Sequence, residues 1–279
     1  MGMNAIGAGK TAVITGGAAG IGLAAAQLFA RNGMNVVLVD VREQLFQAAE
    51  ALLRADGAPN VMTRQIDVSD LAAVKTLEAE VVDLFGGVDV LMCNAGTQPG
   101  SDIFDNSKTW EQVLSVNLGG VVNFCQTIVP GMMSRGQDGL VINTGSKQGI
   151  TTPPGDPAYN VSKAGVKVFT EALQHHLRES RSKVTAHLLV PGFVFTDLTR
   201  HGRTEKPESA WTPEQTADFM MESLRNDDFY IICPDNDVSR AADEKRMAWA
   251  MGDIIENRPP LSRWHKDWAG SFDEFSKRN

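Results

Sequence analysis

The sequence has little cysteine, little tyrosine and no excess of positive charge. Its 279 residues include 3 Cys and 2 Tyr, and 26 Lys and Arg stand against 34 Asp and Glu, for a net charge of −8. Cys93, Cys125 and Cys233 are far apart and no C-x-x-C occurs, which excludes a disulfide framework and a zinc ribbon. The acidic balance argues against nucleic acid and anionic membranes as partners.

Long apolar runs and a targeting signal are also missing from the sequence. No run reaches the roughly 18 apolar residues of a membrane span, and the N-terminus lacks a basic region followed by an apolar stretch. The 5 histidines show no metal-ligand spacing such as H-x-x-x-H, so no metal site is predicted. We therefore expect a cytoplasmic protein with reduced thiols and no membrane partner.

What the sequence does contain is the composition of an ordinary globular protein. It is 43% hydrophobic and 22% charged, with 26 Gly and 12 Pro, which excludes disorder, collagen and coiled coil. A chain of this length can bury enough surface to fold without crosslinks. Because no Pro-, Gly- or Ser-rich linker divides the chain, we predict one domain over 1–279.

Short β-branched runs alternate with helical patterns along the chain. This alternation is typical of a parallel sheet covered by helices on both faces. Right-handed crossovers between seven such strands make a doubly wound α/β sheet. Helices are predicted over 21–32, 41–55, 71–85 and 158–178. The predicted strands are 11–15, 35–40, 61–67, 88–94, 140–144, 184–190 and 229–233.

A glycine-rich turn with the spacing G-x-x-x-G-x-G follows the first predicted strand directly. Glycines let the backbone approach a pyrophosphate closely, and the helix that follows offers free N–H groups to the anion. A tight strand-to-helix turn without a ligand is the alternative interpretation. The residues predicted to form this cradle are Gly16, Ala19, Gly20, Ile21 and Gly22.

Asp40 ends the second predicted strand, 18 residues beyond Gly22. A carboxylate there can accept hydrogen bonds from the adenosine ribose and would repel a 2′-phosphate, which favours NAD over NADP. Arg42 leaves NADP open, because a guanidinium can pair with that phosphate, and Asp40 could simply cap the next helix. Further cofactor contacts are predicted where the third and fourth strands end, at Asp67, Val68, Asn94, Ala95 and Gly96.

Tyr159 and Lys163 lie four residues apart in a helical segment, so they share one helix face. An ammonium beside a phenol lowers the pKa of the phenol from about 10 by favouring the phenolate. Ser146 lies just past the end of the fifth predicted strand, 13 residues before Tyr159, where its hydroxyl can bind the same substrate oxygen. These residues predict general acid–base catalysis at an oxygen atom.

Together these motifs resemble the short-chain dehydrogenase/reductase family. The resemblance runs in chain order from about residue 10 to residue 196. It implies a Rossmann fold, a nicotinamide cofactor and reversible oxidation of an alcohol to a carbonyl. The matching segments are 15–22, 94–96, Asn117, Ser146, 159–163 and 191–192.

The resemblance also implies roles for individual residues. Tyr159 would be the catalytic acid/base, and Ser146 would orient and polarise the substrate oxygen. Lys163 would lower the pKa of Tyr159 and hold the nicotinamide ribose. Asn117 would bend its helix and fix a water that leads to Lys163. The segment implied to cover the nicotinamide includes Pro191, Gly192, Val194 and Thr196.

The function predicted from these residues is an NAD-dependent oxidoreductase that interconverts a secondary alcohol and its ketone. Its partner would be a small-molecule alcohol or ketone. An NADP-preferring carbonyl reductase that uses Arg42 remains an alternative, as does a catalytically silent NAD(H)-binding sensor or scaffold. Lys147 follows Ser146 where the family has small or apolar residues, so it is either an anchor for an anionic substrate group or a solvated side chain.

The chain departs from the family pattern most clearly at its C-terminal end. We predict a core over about 10–234, a substrate loop over about 193–215 and an extension over about 235–279. The extension replaces the short tail that packs in tetramers, so both a homodimer and a homotetramer remain open. Trp264 and Trp268 are spaced to share a helix face, and the extension could be a lid, an interface element or a segment docked on the flank.

Overall fold

The architecture is a twisted parallel sheet, seen in a computed structural model that describes residues 2–105, 108–200 and 202–277. His201, inside the predicted substrate loop, and residues 278–279 of the extension lie outside the described residues. The strands of the described part are β1 (Thr11–Thr15), β2 (Asn35–Asp40), β3 (Val61–Gln65), β4 (Val90–Cys93), β5 (Gly139–Thr144), β6 (Val184–Val190) and β7 (Tyr230–Ile232).

These strands form one sheet in the order β3-β2-β1-β4-β5-β6-β7, with every neighbouring pair parallel. The predicted doubly wound sheet is therefore confirmed. The strand order reverses between β1 and β4, so the connections after these two strands leave in opposite directions. Such a reversal opens a crevice at the carboxyl ends of the strands, where ligands of this fold class bind.

Helices cover both faces of the sheet because successive strand residues point to opposite sides. Val13 belongs to one buried cluster, whereas Ala12 and Ile14 belong to the other. The helices of the described part are α1 (Gly20–Arg31), α2 (Phe46–Ala55), α3 (Leu71–Phe85), α4 (Lys108–Leu114), α5 (Gly120–Ser134), α6 (Gln148–Thr151), α7 (Pro157–Glu179), α8 (Asp197–Arg200), α9 (Pro213–Arg225), α10 (Arg240–Ile255) and α11 (Ala269–Lys277).

The predicted element ends differ from the observed ones at a few positions. The predicted helix over 41–55 divides into a 3₁₀ turn, Glu43–Leu45, and α2. The third, fourth and seventh strands are shorter than their β-branched runs. The differences are at most two residues at either end, and Ile66 N, Asp89 N and Cys233 N still donate to backbone carbonyls of the neighbouring strands.

The stretch Lys108–Ser134 joins α4, a π-helical turn (Ser115–Gly119) and α5 into one continuous helical path. Among the described residues it is the one helix that is long and apolar enough to cross a membrane, with a mean hydropathy of 1.3. In the protein, 44% of the most apolar 18-residue stretch of this helix is buried, and Phe124 and Ile128 pack into the core. Packing against the sheet thus accounts for part of its apolar composition.

The C-terminal extension folds around Trp249 of α10, which is 5% exposed. The indole Nε1 donates to Ser262 Oγ at 2.8 Å, and the Arg258 guanidinium lies 3.9 Å from the ring centroid. Phe272 and Phe275 of α11 pack on the same ring at centroid distances of 5.5 and 5.3 Å. The extension is therefore a packed helical unit.

The prediction that Trp264 and Trp268 share a helix face is wrong. Trp264 ends a 3₁₀ turn, Ser262–Trp264, and Trp268 precedes α11. The chain bends between them, since His265 has extended backbone angles. Their spacing of four residues was insufficient because no continuous helix spans it.

Candidate functional site

A cleft of about 470 Å³ lies at the carboxyl ends of β1, β2, β4 and β5. Its walls come from the glycine turn, the strand ends, α7 and the segment after β6. Most of the residues predicted from the sequence line it. These are Gly16, Ala19, Gly20, Ile21, Asp40, Arg42, Asp67, Val68, Asn94, Ala95, Gly96, Ser146, Tyr159, Lys163, Pro191, Gly192, Val194 and Thr196.

The glycine turn is packed too tightly to accept side chains. Gly16 and Gly20 have φ of +61° and +56°, a region that glycine enters without strain. A Cβ on Gly22 would lie 2.2 Å from the carbonyl oxygen of Gly16. Gly22 therefore supports the loop from behind, whereas Gly20 opens α1 and directs its first N–H groups toward the cleft.

Asp40, Arg42 and Asp197 form an ion-pair chain at the far end of the cleft from Tyr159. The buried Asp40 carboxylate accepts from Ala18 N at 3.2 Å and from Arg42 N and Nε at 3.1 Å each. Arg42 Nη1 donates to Asp197 Oδ2 at 3.1 Å. Hydrogen bonding to Asp40 raises the pKa of Arg42 against the desolvation that lowers it. The chain holds two carboxylates and one cation.

Asp67 and Val68 form the wall next to Asp40. Asp67 Oδ1 accepts from Ser69 N at 2.9 Å and from Ser69 Oγ at 2.7 Å. Val68 is buried, and a Cβ on Gly120 of α5 would lie 2.5 Å from its Cγ2. The close approach of α5 thus holds Val68 against the cleft.

The segment after β4 crosses the floor of the cleft. Asn94 N and Ala95 N both donate to Thr15 Oγ1, at 2.9 and 3.0 Å. Asn94 Nδ2 donates to the carbonyl of Gly16 at 3.3 Å, and Asn94 Oδ1 accepts from Thr144 Oγ1 at 3.3 Å. Asn94 therefore connects the glycine turn after β1 to the end of β5 by hydrogen bonds.

Tyr159 is 6% exposed and faces Ser146 across the cleft. The sequence-based expectation of a lowered phenol pKa is corrected here. Burial, with a smaller contribution from the Asp156 carboxylate, raises the pKa of Tyr159 to about 12, although a hydrogen bond with Ser146 acts in the opposite direction. The ionised phenolate is poorly solvated in this environment, so Tyr159 holds its proton at neutral pH.

Lys163 lies beneath the Tyr159 ring, with Nζ 5.7 Å from the ring centroid. Burial lowers the pKa of Lys163 to about 8. Its ammonium donates to the carbonyl oxygen of Thr144 at 2.8 Å. This bond fixes the lysine in the cleft wall.

Asn117 is fully buried in the π-helical turn behind the cleft wall. Its Oδ1 accepts from Thr97 N at 2.7 Å, and its Nδ2 donates to Thr97 O at 3.0 Å. Nδ2 also lies 3.1 Å from Ser162 Oγ, which belongs to α7. Asn117 thus connects the segment after β4 to the helix that carries Tyr159 and Lys163.

The segment after β6 lies over the glycine turn. A Cβ on Gly20 would approach Thr196 Cγ2 to 3.2 Å, and Thr199 Oγ1 accepts from Thr196 N at 3.0 Å. Thr199 also donates to the carbonyl of Val194. Hydrogen bonds within the segment therefore hold Thr196 above the cradle of α1.

Some residues of the site were not found from the sequence. Thr144 could have been found, because it ends a predicted strand two residues before Ser146. Asp197 had no local signal, since its role depends on Arg42 from the other side of the cleft. In the described ranges, no group of three or more His, Cys, Asp or Glu is arranged to hold a metal ion.

Comparison with known proteins gives a consistent result. The family model described as short chain dehydrogenase matches residues 10–207. An uncharacterized oxidoreductase of Thermotoga maritima is 37% identical over 202 residues, which cover 72% of this chain and 77% of that protein. D-xylose 1-dehydrogenase of Caulobacter vibrioides is 35% identical over 210 residues, covering 75% of this chain and 78% of that enzyme.

Solved structures show the same similarity. A short-chain dehydrogenase/reductase from Burkholderia phymatum, solved in complex with NAD, superposes with a TM-score of 0.82 at 30% identity. The match covers 91% of this chain and 97% of that structure. The similarity therefore extends beyond the matched family segment into the C-terminal part of the chain.

Proposed function

The chain belongs to the short-chain dehydrogenase family and is an oxidoreductase, and from this premise we propose that it interconverts a secondary alcohol and its ketone with NAD. One observation carries the proposal. Ser146, Tyr159 and Lys163 converge in the same cleft as the glycine turn, at the point where the strand order reverses. The cleft thus combines a dinucleotide cradle with an acid–base pair.

The glycine turn favours binding of a dinucleotide because glycines have no side chains, so the backbone N–H groups can approach the cofactor closely. Gly16 and Gly20 would hold the pyrophosphate side, together with the first N–H groups of α1. Asn94 through Gly96 would line the passage toward the nicotinamide, and Thr196 would cover it. When bound, the cofactor supplies the hydride acceptor for oxidation or the hydride donor for reduction.

The charge at the adenosine end supports NAD over NADP. Asp40 and Asp197 outnumber Arg42, so a 2′-phosphate would meet a net negative site. Arg42 is already engaged with both carboxylates, so pairing with a phosphate would require it to leave them. The second candidate is an NADP-preferring carbonyl reductase that uses Arg42. Tighter binding of NADP than of NAD would favour this candidate.

Tyr159 would carry the proton in either direction. The protonated phenol suits reduction, in which its O–H would donate the proton to the substrate carbonyl oxygen. Oxidation requires the phenolate, which would accept the proton from the alcohol, so it should be favoured at higher pH. Ser146 Oγ would hydrogen-bond the same oxygen and fix its position. Lys163, held by Thr144, would keep a positive charge beside the developing phenolate, and Asn117 would hold the wall behind both residues.

The catalytic machinery also separates an enzyme from a silent NAD(H)-binding sensor. A sensor needs the cradle but gains nothing from Ser146 and the buried Tyr159 and Lys163 lining the same cleft. We propose a small-molecule alcohol or ketone substrate, and the sugar activity named for one relative shows how far substrates can vary within the family. The division into a core over about 10–234, a substrate loop over about 193–215 and an extension over about 235–279 remains a prediction. The cytoplasmic location and the assembly as a homodimer or homotetramer are predictions as well.

The test is a panel of secondary alcohols with NAD and of ketones with NADH, followed by the absorbance of the reduced nicotinamide. Any converted compound identifies the reaction class, provided that Tyr159→Phe loses the turnover. If the protein binds NAD but converts no compound in a broad panel, the result supports the hypothesis of a silent NAD(H)-binding sensor. If it binds neither nicotinamide cofactor, the proposal is wrong.

A further inference from the structure

Lys147, the residue directly after Ser146, directs its charge into a buried cluster behind the cleft. Its Nζ lies 2.6 Å from Asp243 Oδ2 and 3.5 Å from Asp235 Oδ2. The side chains of these three residues are 18%, 6% and 8% exposed. Both carboxylates come from the C-terminal extension, so neither proposed use of Lys147, as a solvated side chain or as an anion anchor, fits the structure.

Asp235 also holds the start of the segment that covers the cleft. Its Oδ2 accepts from Phe193 N at 3.2 Å, while its Oδ1 accepts from Val238 N at 2.8 Å. A Cβ on Gly192 would lie 2.7 Å from Asp235 Oδ2 and 3.0 Å from Lys147 Nζ. Gly192, which lines the cleft, therefore rests directly on the Lys147–Asp235 pair.

Asp243 is held on the other side of the cluster by a rigid element. It lies in the first turn of α10, which begins where Ser239 Oγ accepts from Ala242 N at 3.3 Å. The helix is anchored further along by the buried Trp249. In addition, α10 packs against α6, the short helix that follows Lys147. Asp243 thus has a defined position relative to the Ser146 turn.

The two carboxylates of the cluster offset several cations. Arg246 Nη1 lies 3.7 Å from Asp243 Oδ1, and the Asp243 charge also acts on Arg263, so three cations including Lys147 surround two carboxylates. A buried charge that loses its partner is strongly disfavoured. If Asp243 were neutral, the Lys147 ammonium would keep only the longer contact to Asp235, and the backbone next to Ser146 would be free to shift.

We propose that Asp243 and Asp235 are positioning residues that act through Lys147 to hold Ser146 and Gly192 in the catalytic arrangement. The C-terminal extension is then part of the active site of its own chain. The inference rests on the proposed function, because Ser146 and Gly192 matter to catalysis only if the cleft performs the proposed reaction.

The test uses the full-length chain with three variants of α10. Asp243→Asn removes the charge with little change in volume, and Asp243→Glu retains a carboxylate. Glu244→Gln is the matched control, because it removes one negative charge from the neighbouring position, where Glu244 pairs with the exposed Arg240. Readouts are kcat, KM, the Kd for NAD, and hydrogen exchange of peptides covering 146–151 and 192–196.

We expect Asp243→Asn to lower kcat by about tenfold to a hundredfold, the range expected when a reacting group is misplaced. The Kd for NAD should rise by less than kcat falls, because Gly192 and Thr196 would cover only the nicotinamide end while Gly16 and Gly20 would still hold the pyrophosphate. Hydrogen exchange should accelerate in both peptides. Asp243→Glu should restore most of kcat, and Glu244→Gln should match the wild type in every readout.

Two results would overturn the proposal. One is a normal kcat and normal exchange for Asp243→Asn, and the other is an equal loss for Glu244→Gln. Hydrogen exchange separates this inference from the proposed function, since it needs no turnover. A wild type that converts no substrate refutes the proposed function, while accelerated exchange limited to Asp243→Asn would still support the link between the extension and the Ser146 turn.

Discussion

Arg42 and Asp197 lie 155 residues apart in the chain and meet at the cleft, with Nη1 of Arg42 3.1 Å from Oδ2 of Asp197. The pair joins the end of β2 to the segment that lies over the glycine turn. A cofactor in the cleft would therefore lie between two elements that this ion pair holds together.

Asp197→Asn should weaken NAD binding by about two- to fivefold, because an exposed ion pair contributes only about 0.2–1 kcal/mol. The same change should improve NADP binding, since it frees Arg42 and removes one negative charge. Fluorescence titration with both cofactors measures this. Glu179→Gln, in an exposed pair with Arg178, is the control. Equal NAD affinity for Asp197→Asn and the wild type would show that the pair does not retain the cofactor.

Asp40→Ala should narrow the preference for NAD over NADP by about tenfold or more, because it removes the buried charge that opposes a 2′-phosphate. It also leaves Arg42 free to turn toward that phosphate. Titrating NAD and NADP into the parent protein and the variant gives the ratio directly. A parent protein that already prefers NADP would instead assign specificity to Arg42.

Tyr159→Phe should reduce turnover by about 10²–10⁴-fold, the usual contribution of a general acid or base. NAD affinity should be nearly unchanged, because the phenyl ring still fills the wall of the cleft. The chain's other tyrosine provides the control: Tyr230→Phe removes an exposed hydroxyl that donates to Glu171 at 2.6 Å. If Tyr159→Phe retained turnover within about tenfold of the parent, another group would have to carry the proton.

The lowered pKa of Lys163 predicts an unusual pH dependence of stability. In the folded chain Lys163 releases its proton near pH 8, whereas the unfolded lysine keeps it to the ordinary value of 10.5. Between these values the unfolded state binds more protons, so stability increases with pH. Relative to Lys163→Met, the free energy of unfolding should rise by about 1.4 kcal/mol per pH unit.

Denaturant unfolding of the wild type and Lys163→Met across this pH range tests the prediction. Below about pH 8 the difference between the two proteins should be constant, because both states of the wild type carry the proton. A difference that stays constant up to about pH 10.5 would show that burial does not destabilise the ammonium.

Truncation after Asn257 should impair catalysis more than NAD affinity. It removes Ser262, Phe272 and Phe275, which enclose Trp249, and it thereby loosens the helix that carries Asp243. Kinetics, cofactor titration and light scattering on one preparation separate catalysis, binding and assembly. A truncated protein with unchanged mass and unchanged rates would show that the end of the chain is dispensable.

Local patterns in the sequence were sufficient for much of the fold and for the candidate site. The G-x-x-x-G-x-G turn after a buried strand, and the Asp that ends the next strand, specify a cofactor cradle within 25 residues, from Gly16 to Asp40. Tyr159 and Lys163 share a helix turn, so their proximity follows from helix geometry. The structure brings these residues into one cleft, and their roles remain to be tested.

The sequence by itself determined the order of the strands and helices and the chemical groups at their ends, because hydrophobic periodicity and turn chemistry act over short distances. Only the tertiary structure decided how those groups are charged and held. The pKa of Tyr159 depends on burial from all sides, so the neighbouring lysine in the motif did not predict its direction. The partners of Lys147 and Arg42 come from distant segments, and their attraction becomes effective only after folding excludes water and brings the charges together.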